Sequence, residues 1–310
     1  MRRDELKKLI RGVIVATPTP FDDEFGLDYT RMGEMTEWWV ENGLVEGRAV
    51  IKCMSLMGEG PQLSEHEWPQ LVRAVVLAAN GKVPVMGSIH ATDTIRSIDN
   101  ALKAQDLGAT ALQVSPPLFN DPNQDDILRY FESLSNAIDI GIMIYHTPWH
   151  NHGEIMPETF LKMADFEQVM AIKWCEPNSY KYEEMEALAP HFNILENGSN
   201  LKVCYQLGGR GFLDEEAPAY PQHDLAVLDL MESGRLDEGQ ELWDSATGPL
   251  QSFYRRMTVR SGGQARLKKA VMEAMGKSMG PMRPPSLPHS DEEMEELRGI
   301  IRSIGWPVTG

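Results

Sequence analysis

The chain has 310 residues, 42% hydrophobic and 24% charged, an ordinary soluble globular balance with the length of one large barrel. Acidic residues outnumber basic ones 46 to 29, for a formal charge of −17. That excess argues against nucleic acid or an anionic membrane as partner, and an anionic small substrate needs a local exception to the field.

The predicted elements alternate from end to end. The opening Met1-Arg2-Arg3-Asp4-Glu5-Leu6-Lys7-Lys8 lacks the apolar stretch of a signal peptide. No apolar run approaches the roughly 20 residues of a membrane span, so cytoplasmic location is the expectation. The apolar run Val13–Thr19 is followed by Tyr29–Asn42, where Met32, Met35 and Trp39 fall at helical spacing. Ala49–Ser55 leads to a helical stretch over Glu65–Ala79, Pro84–His90 to one over Thr92–Leu107, and Ala111–Pro117 to Asp125–Ala137. The last of these starts after Asn123-Gln124 with an acidic first turn, a good start signal. Gly141–Thr147, Val169–Cys175, Asn193–Ser199 and Gly211–Glu216 complete eight strand candidates. Their faces are mostly apolar on both sides, as parallel strands covered by helices require.

Eight strand-then-helix units predict an α/β fold, a closed (β/α)8 TIM barrel. An open doubly wound sheet is weaker, because no G-x-G-x-x-G turn follows the first strand. Gly208-Gly209-Arg210-Gly211 precedes a strand and reads as a helix stop. Four further helical segments, Ala226–Ser233, Asp237–Met257, Gln264–Met275 and Asp291–Ile304, exceed one closing helix. The expected organisation is a barrel over residues 1–234 and a C-terminal helical extension over residues 235–310 packed on it. Gly280–Pro288 reads as a rigid extended linker. The three cysteines, Cys53, Cys175 and Cys204, are odd in number and widely spaced, so buried thiols are expected rather than disulfides or a zinc site.

The most informative residue is Lys173, inside the apolar run Val169-Met170-Ala171-Ile172-Lys173-Trp174-Cys175. Burial disfavours the charged amine, and a neutral amine attacks a carbonyl to form a Schiff base. The competing reading is a lysine at a strand end that snorkels to water. In an α/β barrel the active site forms at the C-terminal strand ends. Those ends collect Ser55 to Gly60, Ser88 and His90, Ser115 to Asn120, Tyr145 to His152, Asn197 to Asn200 and Asp214 to Glu216. Tyr145 on the strand beside Lys173 would share its cavity if both point inward, since adjacent strands lie about 5 Å apart.

Motifs in order along nearly the whole chain resemble the class I aldolase family of dihydrodipicolinate synthase and N-acetylneuraminate lyase. They are Ala16-Thr17-Pro18-Thr19-Pro20-Phe21, Gly58-Glu59, Tyr145-His146-Thr147-Pro148, Ala171-Ile172-Lys173, Leu207 to Gly211, and Gly280-Pro281-Met282-Arg283-Pro284-Pro285. The resemblance implies Lys173 as the Schiff-base lysine and Tyr145 as the proton shuttle. It also implies pyruvate or another 2-oxo acid as substrate, with its carboxylate on the backbone N–H groups of Leu56 and Met57, an anion nest in physical terms. The competing reading of Tyr145 is a core aromatic with a satisfied hydroxyl. No cofactor is called for, and family members are commonly homodimers or homotetramers.

The departures from that family are specific. Leu56 and Met57 replace two threonines, so the synthase's hydroxyl relay is missing. Phe119 matches a tyrosine supplied across a subunit interface, His150 matches the arginine that grips the second substrate, and His146 stands where an asparagine is common. Together these argue against dihydrodipicolinate synthase itself. Leu56, Met57, Phe119 and Trp149 make the mouth more apolar, which suits a bulkier or aromatic aldehyde partner, as in the hydratase-aldolases. His146 or His150 is the expected replacement for the relay, and Asp214 is a candidate contact for a cationic or hydroxyl-rich substrate.

These residues and the resemblance together point to a lysine Schiff-base carbon–carbon or carbon–oxygen lyase. Two rivals stand beside it. One is a metal-dependent barrel enzyme using His90, His146, His150 and His152, perhaps with Asp214 or Glu216; the other is a barrel that binds a 2-oxo acid without turning it over.

Overall fold

The computed structural model describes residues 1–90, 93–150, 152–198, 200–214 and 216–309, with Asp214 described by its backbone alone. Thr92, Asn151, Ser199 and Glu215, which fall in predicted segments or strand ends, lie outside the described residues.

Within the described residues eight parallel strands close into a barrel in chain order. They are β1 (Gly12–Ala16), β2 (Ala49–Lys52), β3 (Val85–Ile89), β4 (Ala111–Val114), β5 (Gly141–Tyr145), β6 (Val169–Trp174), β7 (Asn193–Glu196) and β8 (Gly211–Asp214). Closure comes from β8 against β1, where Gly12 faces Gly211 and Val15 faces Asp214. Every predicted strand forms, and each stops one to three residues before its predicted end. Thr17 and Thr19, beyond the end of β1, are buried for another reason: they lie in the turn at the mouth, where the Thr19 hydroxyl donates to the Gly58 carbonyl.

The helices cover the outside. In chain order they are α1 (Arg3–Leu9), α2 (Tyr29–Glu41), α3 (Glu67–Ala79), α4 (Thr94–Asp106), α5 (Gln124–Ala137), α6 (Pro157–Lys162), α7 (Met185–Leu188), α8 (Leu201–Gln206), α9 (Pro221–Glu232), α10 (Leu236–Met257), α11 (Ala265–Ala274) and α12 (Asp291–Ser303). Starts follow local chemistry. Asn123 caps α5 and Ser290 caps α12, each in a reciprocal capping box with the acidic residue three positions on.

Two apolar regions result. The larger lies between strands and helices and includes Trp39, Ile142, Phe160 and Trp174. The smaller fills the barrel with Ile14, Val50, Met86, Ala111, Met143, Ala171, Leu195 and Leu213. Leu6 and Ile10, from α1 and the residue after it, join this inner plug. Arg3 fixes α1 by donating to the Ala164 and Phe166 carbonyls at 2.7 and 2.9 Å. The short α1 is not apparent from periodicity, because seven residues make only two turns.

The C-terminal helices are tied to the mouth by buried ion pairs. Lys268 on α11 meets Glu216 at 2.8 Å, and Lys269 meets Glu59 at 2.7 Å. The segment read as a linker is also a clamp. The Arg283 guanidinium reaches Glu67 and the Phe25 and Gln62 carbonyls, and its backbone N–H donates to Glu59. Among the described residues no helix is long and apolar enough to cross a membrane.

Candidate active site

The inner face of the barrel changes character in one step. Two residues beyond the apolar plug positions Val50, Ala111, Met143, Ala171 and Leu195 stand Lys52, Gln113, Tyr145, Lys173 and Asn197. Because side chains alternate along a strand, positions i and i+2 share a face, so a polar layer sits directly on the plug. These five residues line a cavity of about 220 Å³ at the mouth, together with Ser55, Leu56, Met57, Trp149 and, from the C-terminal segment, Tyr254 and Gln264.

Lys173 and Tyr145 are register partners on β6 and β5. A shift in pairing between Ile142 and Met143 sets this register. The Lys173 Nζ lies 3.9 Å from the centroid of the Tyr145 ring, so the amine rests on the ring face. Lys173 is only 7% exposed, and burial lowers its amine to about 8. Burial pushes the Tyr145 phenol up, which keeps it protonated and able to donate. The sequence expectation that these two groups face one cavity holds in this geometry.

The turn after β2 is built tightly. Met54 and Glu59 have left-handed backbones, at φ 63° and 54°, uncommon for non-glycine residues. A Cβ on Gly58 would stand 2.6 Å from the Thr17 carbonyl oxygen, and one on Gly60 would stand 1.8 Å from that of Met54, so both positions need glycine. The carboxylate of Glu59 is held by Lys269 and the Arg283 N–H, and His90 Nε2 lies 3.2 Å from the Met54 carbonyl. Leu56 and Met57 open the short helical turn 56–58. As its first residues their N–H groups have no partner within the turn, and both residues line the cavity.

Other candidates separate from the site. His146 points the opposite way from Tyr145, into the outer apolar region. Its ring packs against Phe160, Trp174 and Tyr180, with Nε2 3.4 Å from the Tyr180 hydroxyl. Burial lowers it to about 4, so it is a neutral core histidine, and the substrate-binding role expected of it is corrected. His150 is exposed in the turn after β5 and does not line the cavity; its expected contact is likewise not formed. Phe119 is 86% exposed and lies off the cavity wall of this chain. Trp149 does line the mouth, edge-on to Tyr145 at 6.0 Å between centroids. Asp214 ends β8 opposite Val15, and its side chain lies outside the described residues. His152 approaches Asp121 at 3.7 Å on the surface. Thus the four histidines grouped by sequence scatter, and among the described residues no three His, Cys, Asp or Glu side chains are placed to hold a metal ion.

Lys52, Gln113, Tyr254 and Gln264 also line the cavity and were missed by sequence reasoning, whereas Asn197 was among the collected strand ends. The signal for Lys52 matches that for Lys173: a lysine in the apolar run Ala49-Val50-Ile51-Lys52-Cys53.

Fold and mouth together define a class, (β/α)8 barrels with an amine and a phenol facing one small polar cavity at the C-terminal strand ends. The chain belongs to the dihydrodipicolinate synthetase family, whose profile matches residues 9–304. That family is one of class I lyases working through a lysine Schiff base. The chain is 24% identical over 298 residues to 4-hydroxy-tetrahydrodipicolinate synthase of Coxiella burnetii, covering 96% of this chain and 99% of that protein. It is 27% identical over 297 residues to the enzyme of the same name from Thermomicrobium roseum, covering 95% of each. Among solved structures, dihydrodipicolinate synthase from Thermotoga maritima superposes with a TM-score of 0.84 at 24% identity, covering 96% of this chain and 99% of that one. A monomeric dihydrodipicolinate synthase variant superposes at 0.86 with 23% identity, covering 97% and 99%. At these identities the structural likeness speaks for the fold.

Proposed function

We propose that the protein is a Schiff-base-forming lyase acting on pyruvate or another 2-oxo acid, as an aldolase or hydratase-aldolase, and is not dihydrodipicolinate synthase itself. The observation that carries this is the Lys173 amine, buried, shifted toward neutrality and resting on Tyr145 in the cavity at the barrel mouth. The neutral amine adds to the C2 carbonyl, and the carbinolamine loses water to give an iminium. That iminium accepts the electron pair released when the C3–C4 bond breaks or when a C3 proton leaves before dehydration. Tyr145 donates and recovers the proton. The Leu56 and Met57 N–H groups receive the carboxylate.

Leu56, Met57 and Trp149 around the cavity support a bulkier or aromatic aldehyde as the second reactant. Tyr254 and Gln264 draw the C-terminal segment into the substrate wall. Assembly into a homodimer or homotetramer belongs to the same reading.

The test is reductive trapping. Incubation with pyruvate and borohydride should add one reduced adduct to the intact protein and none to Lys173→Ala. No adduct in the unaltered protein defeats the proposal. Turnover of a sugar acid, with no cleavage or condensation of any aromatic aldehyde, defeats the choice of partner. Because the threonine hydroxyls are replaced by Leu56 and Met57, the second reading is a protein that binds the 2-oxo acid without turnover. Saturable pyruvate binding with no reaction across a broad aldehyde panel would select it.

A further inference from the structure

The cavity holds a second amine that the chemistry above does not use. Lys52 comes from β2 and is 1% exposed. It shares the polar layer with Lys173 and lines the same cavity. Its one hydrogen bond among the described residues is donated by Nζ to the Gln113 side-chain oxygen at 3.0 Å. That bond uses one N–H, and the remaining capacity of the nitrogen faces the cavity, where an anion arriving beside it favours the charged ammonium. Burial and the nearby Lys173 together hold the amine well below the ordinary lysine range.

A buried lysine kept only for structure is usually given a carboxylate, as Lys268 and Lys269 are in this chain. Lys52 has an amide where a carboxylate would close the pair internally. Replacing such an amine by a well-packed apolar side chain would cost the fold little. Its placement is therefore explained by something that enters the cavity and is anionic. In a protein of formal charge −17, a second amine that an entering carboxylate can charge supplies the local exception that an anionic substrate needs.

We propose that Lys52 is a substrate-binding residue that meets the carboxylate of the 2-oxo acid from the barrel interior, opposite the Leu56 and Met57 amides, and makes the site selective for keto acids over uncharged carbonyl compounds. Gln113 positions the amine without neutralising it. This assignment rests on the Schiff-base reading.

The experiment measures reductive trapping against concentration for pyruvate and for its uncharged methyl ester, with peptide mapping of the adduct. The unaltered protein, Lys52→Met and Gln113→Glu are compared as intact chains, their folding checked by circular dichroism. Lys52→Met should raise the half-saturating pyruvate concentration by roughly ten- to a hundred-fold, the usual worth of a charged hydrogen bond, while leaving the ester's unchanged and the adduct on Lys173. Gln113→Glu should weaken pyruvate in the same selective way, because the new carboxylate occupies Lys52; it carries the test if Lys52→Met does not fold. Unchanged pyruvate saturation in the folded variants overturns the assignment. So does equal weakening of pyruvate and ester, which would make Lys52 a group that tunes Lys173, and so does an adduct mapped to Lys52. An unaltered protein that forms no Lys173 adduct with either compound defeats the Schiff-base reading, and this assignment with it, a result distinct from the other three.

Discussion

Two pairs of buried lysines in this chain have opposite surroundings. Lys268 and Lys269, on α11, each meet a buried carboxylate, at 2.8 and 2.7 Å. Lys52 and Lys173, inside the barrel, meet an amide and an aromatic face instead. The first pair joins the C-terminal helices to the loops of the mouth, and its charges are cancelled locally. The second is left with capacity to bind or react. Burial is common to all four, so burial alone does not mark function; the missing carboxylate together with the cavity does.

The comparison is broken most directly by removing one member of each pair. Lys173→Ala should lower adduct formation and any turnover by about a thousand-fold or more, the scale expected for loss of a covalent nucleophile. It should leave the melting temperature unchanged or raised, because no internal counter-charge is stranded. Glu59→Gln should behave in reverse. It leaves Lys269 buried without its counter-charge, with only the neutral Pro281 carbonyl and the new amide oxygen to accept from it, at a cost of about 3 kcal/mol read from the urea midpoint. Adding Lys269→Met should recover most of that loss. If Glu59→Gln is neutral while Lys173→Ala unfolds the protein, the distinction between structural and available lysines is wrong.

Tyr145→Phe sharpens the barrel side. The ring that supports the Lys173 amine is kept and only the phenol is lost. Adduct formation should slow by about a hundred-fold, the usual worth of a positioned proton donor, with stability nearly unchanged. The pH dependence should identify the amine. Neutral Lys173 is the nucleophile, so the trapping rate at low, non-saturating pyruvate should rise with pH and level off above about 8. Stability follows the same group. Its folded value lies below the ordinary 10.5, so the unfolded chain holds more protons between about 8 and 10.5, and stability rises with pH across that window. Lys173→Met should remove its share of that rise, and Lys52, whose amine is also lowered, should sustain part of the rest.

How much of this was legible depended on which physical signal each residue leaves in the sequence. The eight strands and the long helices were readable because apolar runs and helical periodicity are independent of tertiary context. Lys173 was readable because a cation in an apolar run is costly wherever the run folds. Lys52 leaves the same trace, and Gln113 a weaker one in Ala111-Leu112-Gln113-Val114, and neither lies in a family motif. The side chains at the mouth were harder. All residues of β5 and β6 are buried, so the alternation that tells inside from outside is erased. The pairing shift between Ile142 and Met143 also disturbs any attempt to carry parity from one strand to the next. His146 therefore looked like a site residue when it stands one position out of phase with Tyr145. His90 left no readable sign of its contact with the carbonyl of Met54, a residue with a left-handed backbone.

His146 offers the smallest expected effect and the cleanest control on the inward and outward faces of β5. Phe160, Trp174 and Tyr180 surround it, its Nδ1 has no hydrogen-bond partner among the described residues, and it lines no part of the cavity that holds Lys173. His146→Leu should leave the pyruvate saturation curve and the trapping rate unchanged. Its trace should instead appear in acid. The folded imidazole is held at about 4 against an ordinary 6.5, so the unfolded chain binds the extra proton first and stability falls as pH drops from about 6.5 toward 4. Removing the imidazole should flatten part of that decline. His90, lowered to about 4 by its own burial, should sustain the rest. A His146→Leu protein that loses pyruvate binding at neutral pH would mean that the outer face of β5 reaches the substrate after all, and the division of the strand into a chemical and a packing side would fail.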